Sequence, residues 1–314
     1  GEKDIKNRMI KKGAMVRQGA KEVADIIAQQ EHPAQLRQWA SDRSQVLGRT
    51  IRGVMRITKA LRVLGRIEGI PEEELENVVD TKFEYIVSCQ IYGKLKTSDK
   101  PVDRWKAQSI DELRRQFPRS LKVAFIHQEG KDFYSMLLGV DPESGEDTII
   151  YKVKLPGNPI LGEGKPENQN HAIIFSRGEY VMTLDMNQDN YMGESYKIRN
   201  LLEQFQGKTR IVGFREHAIS GGGGAVADFA ASAEFSFTTT TQRFLTWPLM
   251  VRFHYGHPDI WDKTFTMTSG GVSKSSKTLH ISEDIFGGIN AVLRGGDVAY
   301  AEFIHCGKGR DLTF

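Results

Sequence analysis

Cysteine is nearly missing from this sequence: Cys89 and Cys306 are the two in 314 residues. One pair cannot build a disulfide framework, and neither residue sits in a metal-binding spacing. A reducing, cytosol-facing compartment is therefore expected. No apolar run approaches the ~18 residues that cross a bilayer, and no signal peptide opens the chain. The glycine run Gly221–Gly224 lacks the Lys-Ser/Thr pair and the strand-helix frame of a phosphate loop, so it reads as a mobile turn. His254-Tyr255-Gly256-His257-Pro258-Asp259 has metal-ligand residue types, but no further ligand cluster supports a zinc site.

What remains is the profile of a soluble globular protein, 39% hydrophobic and 26% charged. Such a length holds one large domain or two smaller ones with ample core. The net charge of +3 hides an uneven distribution. Residues 1–70 carry 15 Lys/Arg against 7 Asp/Glu, and the remainder is acidic. Ala34 to Ile67 has helical periodicity. Leu47, Ile51, Val54 and Leu61 fall on one face, and Arg49, Arg52, Arg56, Lys59 and Arg66 on another. Such a helix either packs with a solvated charged face or lies on an anionic surface. Gly65 and Gly69-Ile70-Pro71 end it.

Lys82 to Gln90 and Leu121 to His127 are apolar and β-prone, with a helix predicted over Ser109–Phe117, Ser109 as its cap and Glu112 at the capping-box position. Strand, helix, strand is the unit of a parallel sheet. Phe133–Leu138 and Thr148–Lys154 form a predicted hairpin around Asp141–Gly145. Met192–Phe205 reads as a helix. So does Ile285–Leu293, opened by Ser282-Glu283-Asp284, whose carboxylates suit a helix N-terminus. Gly270–Lys274 is a glycine turn with a lysine, and Cys306–Asp311 a basic glycine loop.

The chemistry concentrates between Lys154 and Glu194. Lys165, Asn168, Gln169 and Asn170 precede two predicted strands, His171–Phe175 and Tyr180–Leu184, joined by the turn Ser176–Glu179. Asp185 and Asp189, two carboxylates four apart, follow them. Loops at the carboxyl ends of core strands are where α/β folds keep ligands. An ordinary hairpin with a solvated tip is the plainer alternative. From the residues alone the reading is an α/β domain with an anionic small-molecule site.

Four motifs and two upstream stretches carry a family resemblance. LPGNPILGEGKPENQNHAIIFSRGEYVMTLDMNQDNY at 155–191 is similar to the signature of the 1,3-β-glucan synthases, which include the callose synthases and fungal glucan synthases. HYGHPD at 254–259, SGGVSKSSKTLHISEDIFGGINAVLRGG at 269–296 and HCGKGRDLTF at 305–314 resemble the same family in the same order. RTIRGVMRITKALRVL and FEYIVSCQIYGK resemble the segment before its catalytic domain. The resemblance covers roughly residues 40–314 and departs at 207–250.

The resemblance implies a processive glycosyltransferase using UDP-glucose, membrane-embedded through transmembrane regions absent from this piece. It further implies a GT-A-like α/β core with a mixed, mostly parallel sheet over residues 81–314, cut before the family's last conserved motifs. A helical segment over 1–80 would precede it. The domain would face the cytosol at the plasma membrane, with a glucan acceptor, a Rho-type GTPase regulator in some members, and no nucleic-acid partner. The isolated piece is expected to bind nucleotide weakly and polymerise nothing. The donor is α-linked and the product β-linked, so transfer inverts and needs a base and a diphosphate clamp. Glu283 or Asp284 matches the family's Glu-Asp pair and would supply the base. Asp185 sits where the acidic motif holds the diphosphate, through Mg²⁺ in some enzymes of this plan, and Asp189 is the second carboxylate. Lys165 is the implied diphosphate contact with Asn168 beside it; Lys308 and Arg310 are candidates for the same duty. The sequence departs at His127-Gln128-Glu129, where family members usually carry Asp-Glu near the uridine. A noncatalytic nucleotide- or membrane-binding module of the same descent is the competing reading.

Overall fold

The computed structural model describes residues 47–219, 224–249, 259–273 and 283–309. They belong to one compact unit, Gln45–Phe314. The expected basic helix is two: α1 (Leu47–Val54) and α2 (Arg56–Ile67), broken at Met55. Ile51, Val54 and Ile57 are buried, as the periodicity requires. The helix stops where glycine predicts: Gly69 takes φ +79°, and Ile70 N–H donates to Gly65 O. Gly65 has no room for a side chain, since a Cβ would lie 2.5 Å from Leu75 of α3 (Glu72–Lys82). Of the charged face, Arg66 holds Glu72 and Arg56 lies 3.6 Å from Asp189; Arg62 of the same helix holds Glu76, and Glu68 just past its end pairs with Arg199.

The first sheet follows. β1 (Tyr85–Ser88) pairs parallel with β2 (Leu121–Glu129), and between them run α4 (Tyr92–Lys96) and α5 (Pro101–Gln116). α5 starts eight residues before the expected cap. Pro101 opens it, needing no N–H partner there, and Ser109 lies inside, its hydroxyl donating to Trp105 O. β3 (Asp132–Val140) turns back through Gly130-Lys131, Gly130 at φ +60°, and β4 (Asp147–Leu155) forms the edge. Arg114, fully buried, fastens α5 to this hairpin through Asp147 and Gly139 O, and Asp111 of the same helix shares its guanidinium.

α6 (Lys165–Ile173) overturns the strand expected at His171–Phe175. Gly164 at φ +78° and Pro166 start a helix, and Glu167 accepts the Leu161 and Glu163 N–H groups ahead of it. These start signals override the β-branched Ile173-Ile174. Beyond α6 come β5 (Tyr180–Thr183), β6 (Gln188–Asp189), α7 (Met192–Leu202) and β7 (Thr209–Ile219). A continuous helical stretch follows: α8 (Gly224–Ser236), a π-helical turn Phe237–Thr241 and α9 (Gln242–Thr246). The remaining elements are β8 (Asp259–Asp262), α10 (Lys263–Thr268), α11 (Glu283–Leu293) and β9 (Asp297–Gly309).

The second sheet has order β5-β8-β7-β9-β6. Pairing is mixed but not mostly parallel: among the described residues only β1–β2 and β7–β9 run parallel, against five antiparallel ladders. In the first sheet the cause is short connections such as Gly130-Lys131, which permit only reversal. The predicted glycine loop Cys306–Asp311 is β-strand as far as Gly309. The turn expected at 221–224 lies outside the described residues except Gly224, which begins α8.

α6 bridges the two sheets. Its Ala172, with Phe175 just beyond, packs on Ala124 and Leu137 of the first, while Ile173 joins Ile211, Trp261 and Val298 of the second, together with Val272 of the turn at 271–273. Burying each of the larger ones, such as Ile173, Phe175 or Leu137, contributes about 1.5–3 kcal/mol.

Candidate functional site

α6 ties three loops together by its polar side chains. Lys165 Nζ lies 2.7 Å from Asp185 Oδ1, so the lysine and the carboxylate that the resemblance assigns to the diphosphate meet in one ion pair. Asn168 spends its amide on the carboxyl end of β1: Oδ1 accepts Gln90 N–H at 3.0 Å and Nδ2 donates to Ser88 O at 2.9 Å. Asn170 reaches the turn at 271–273, accepting from Val272 N–H at 3.0 Å and donating to Ser273 O at 2.8 Å. Gly271, at φ +92°, is in that turn because a Cβ would lie 2.1 Å from the Asn170 side chain.

That turn in turn supports α11. Gly287 lets the helix press onto Val272, whose carbonyl would be 2.6 Å from a Cβ there. Glu283 and Asp284 stand one turn earlier, at the start of α11. The helix that carries Lys165 is thus connected through Asn170 and Val272 to the helix that carries the Glu-Asp pair. Ser282, His254 to Pro258, Lys274 and Arg310 lie outside the described residues.

From Asp185 a polar chain runs inward. Asp185 N–H donates to Gln188 Oε1 at 2.9 Å, and Gln188 Nε2 donates to Glu216 Oε1. Lys308 then lies 2.9 Å from both Glu216 Oε2 and Glu234 Oε1. Lys308 is buried in β9, not in a solvated loop. Burial, with Glu234 beside it, raises the Glu216 carboxyl well above the usual carboxylate range. The two carboxylates hold the Lys308 ammonium charged, its pKa raised against the desolvation that opposes it. Gln188, Glu216 and Glu234 were missed in the sequence. Glu234 lies 74 residues before its lysine, and no local spacing links them.

Asp189 is placed differently from Asp185. It is buried in β6, its Oδ1 accepts Asn190 N–H at 2.7 Å, and Arg56 approaches to 3.6 Å. Gly53 of α1 leaves it room, since a Cβ there would lie 1.7 Å from Asp189 Oδ1. Thr50 donates to Met186 O at 2.6 Å, so α1 clamps the whole acidic loop. His127 lies near the carboxyl end of β2, 3.3 Å from Glu129. Tyr85 at the start of β1 has its phenol pKa raised, first by burial and then by the charge of Asp185.

Among the described residues no three His, Cys, Asp or Glu side chains gather as a metal site, and no helix is long and apolar enough to cross a membrane. The class defined by fold and site is a mixed α/β domain with a lysine–aspartate pair at a strand-end loop, braced from behind by a buried charge cluster. The 1,3-beta-glucan synthase component family matches residues 21–314, and the chain belongs to that family. It is 45% identical to Callose synthase 10 of Arabidopsis thaliana over 92% of its length, and 46% identical to Callose synthase 7 over 91%. Callose synthase 3 of the same plant is 45% identical over 88%. The chain spans only 16–17% of the length of these relatives.

Proposed function

We propose that this chain is the donor-binding and catalytic portion of a synthase that transfers glucose from UDP-glucose to a growing β-1,3-glucan chain. The observation that carries the reading is the Lys165–Asp185 pair at 2.7 Å, held by α6 and linked through Asn170 to the helix of Glu283 and Asp284. In this reading the Lys165 ammonium moves from Asp185 to the donor diphosphate as it binds and offsets the charge that grows on the leaving group. Glu283 or Asp284 takes the proton of the acceptor hydroxyl in a single inverting displacement. Asn168 holds the β1 end rigid behind the donor. Lys308 sets the position of Gln188 and so of the Asp185 loop, and Arg310 is a further candidate for the diphosphate.

A Mg²⁺ ion arriving with the donor would take Asp185 as its protein carboxylate and complete its shell with phosphate oxygens and water. When bound it would add positive charge at the diphosphate. A GT-A-like plan fits the mixed α/β architecture, and the relatives' greater length leaves room for membrane segments that would place this unit on the cytosolic side of the plasma membrane. Regulation by a Rho-type GTPase belongs to the same reading.

The direct test is calorimetric titration of the chain with UDP-glucose. Weak binding is expected, lowered at least about tenfold by Lys165→Met, because a charge-assisted phosphate contact contributes about 1.5–3 kcal/mol. Equal affinity in the two proteins would remove Lys165 from the donor site.

A further inference from the structure

The stretch from α8 to α9 is inverted with respect to water. Its inward side is polar: Glu234, Thr238, Thr239, Gln242 and Thr246 are all buried. Glu234 meets Lys308, Thr238 donates to Glu216 O, and Gln242 donates to Thr246 Oγ1 at 3.0 Å. Its outward side is aromatic. Phe229 is 75% exposed, Phe244 65% and Trp247 73%, with Phe235, Phe237 and Leu249 also exposed. A helix in a water-soluble protein turns its apolar stripe inward. Here the core side is satisfied by a charge cluster, and the large rings are left outside, more than a soluble surface ordinarily exposes in one element.

The outward side makes little polar demand on a partner. Ser236, which faces outward, donates to Ser232 O at 3.0 Å, so its hydroxyl is consumed by the helix itself. Among the described outward positions only Asp228 and Arg243 carry charge, and Arg243 is held by Glu302. A protein interface of ordinary kind would offer about one hydrogen bond per 100–200 Å². A hydrocarbon boundary asks for none. Gly224–Thr246 is 23 residues of continuous helix, about 34 Å long at ~1.5 Å per residue, long enough to lie along a surface. The exposed Trp247-Pro248-Leu249 at its end has the aromatic-and-aliphatic composition of the membrane-water interface.

We infer that the outward face of α8, the π-helical turn and α9 seats on the interface of a lipid bilayer, lying along it, through Phe229, Phe235, Phe237, Phe244 and Trp247. The inference is independent of the catalytic reading. Because the face carries no net basic charge, docking is driven by apolar burial, does not need anionic lipid and is insensitive to salt. The helix would then hold Glu234, and through it Lys308, at a fixed depth below the membrane.

The test is flotation of the 314-residue chain with neutral phosphatidylcholine vesicles at low and high salt. Wild type is expected to float at both. A variant with Phe229, Phe235, Phe237, Phe244 and Trp247 all replaced by Ser should float at least about tenfold less, while its circular dichroism spectrum is unchanged. Ile149→Ser with Val153→Ser, on the exposed edge strand β4, should float as wild type. Brominated lipid should quench tryptophan fluorescence in wild type and much less in Trp247→Phe. Failure of wild type to float, equal flotation of the aromatic variant, equal loss in the β4 variant, or quenching unchanged in Trp247→Phe would each overturn the inference. So would self-association of wild type that the aromatic replacements abolish without any lipid binding.

Discussion

Lowering the pH should unfasten α6, and His171 sets by how much. The ring is 9% exposed, its Nε2 shares a hydrogen bond with Ser135 Oγ, and it stands edge-on to Phe175. Burial pushes its pKa from 6.5 down to about 4. The folded protein therefore keeps His171 neutral while the unfolded chain takes up a proton between those values. Stability is complete above pH 6.5 and falls as the pH drops towards 4. Two and a half pKa units correspond to about 3.4 kcal/mol in full, and to about 2.5 kcal/mol at pH 4.5. His171→Gln keeps a partner for Ser135 but cannot become charged. Urea unfolding of both proteins at pH 7.5 and 4.5 isolates the residue, because other titrations cancel in the difference. Wild type should lose about 2.5 kcal/mol more than the variant, or roughly 5–10 °C in melting temperature. Equal losses would show that His171 is not the buried neutral base described. Since α6 also carries Lys165, donor binding should weaken over the same pH range in wild type.

Three further changes probe the bracing of the site. Gly53→Ala drives a methyl into Asp189 and Asn190 N, and should cost about 1–3 kcal/mol by urea midpoint. Lys308→Met leaves Glu216 and Glu234 facing each other, and should cost about 3–5 kcal/mol at pH 8. Because the Glu216 pKa is raised in the fold, its contribution is present at acid pH and lost as pH rises, so thermal melts of this variant should recover near pH 5. Asn170→Ala removes the bonds that hold Val272 and Ser273, and hydrogen exchange at those two amides should quicken without a change in the core strands.

The fold is legible in the sequence where a segment's own chemistry decides it. The helix stop at Gly69 and the hairpin around Asp141–Gly145 rest on residues within a few positions of one another, and the parallel pairing of β1 with β2 follows from the strand-helix-strand order. α6 failed as a strand because two β-branched residues outweighed Gly164, Pro166 and Glu167, which are the stronger evidence when a start signal is complete. The mostly parallel sheet that the resemblance implied is not found, because one strand-helix-strand unit says nothing of which edges the other strands meet. The pairing of Lys165 with Asp185 was open to inspection, twenty residues apart in a stretch rich in ligand chemistry. Lys308 was not. Its burial depends on Glu216 and Glu234, brought together only when β7, β9 and α8 assemble.

The most direct measurement is made on the full-length protein in isolated membranes, supplied with labelled UDP-glucose. Wild type should make labelled polymer that an endo-1,3-β-glucanase digests. Asp185→Asn, present at the same level in the membrane, should make at least about a hundredfold less, as expected when one charge positioned at the reacting diphosphate is removed. Undiminished synthesis by Asp185→Asn, or wild-type polymer that the glucanase leaves intact, would contradict the account.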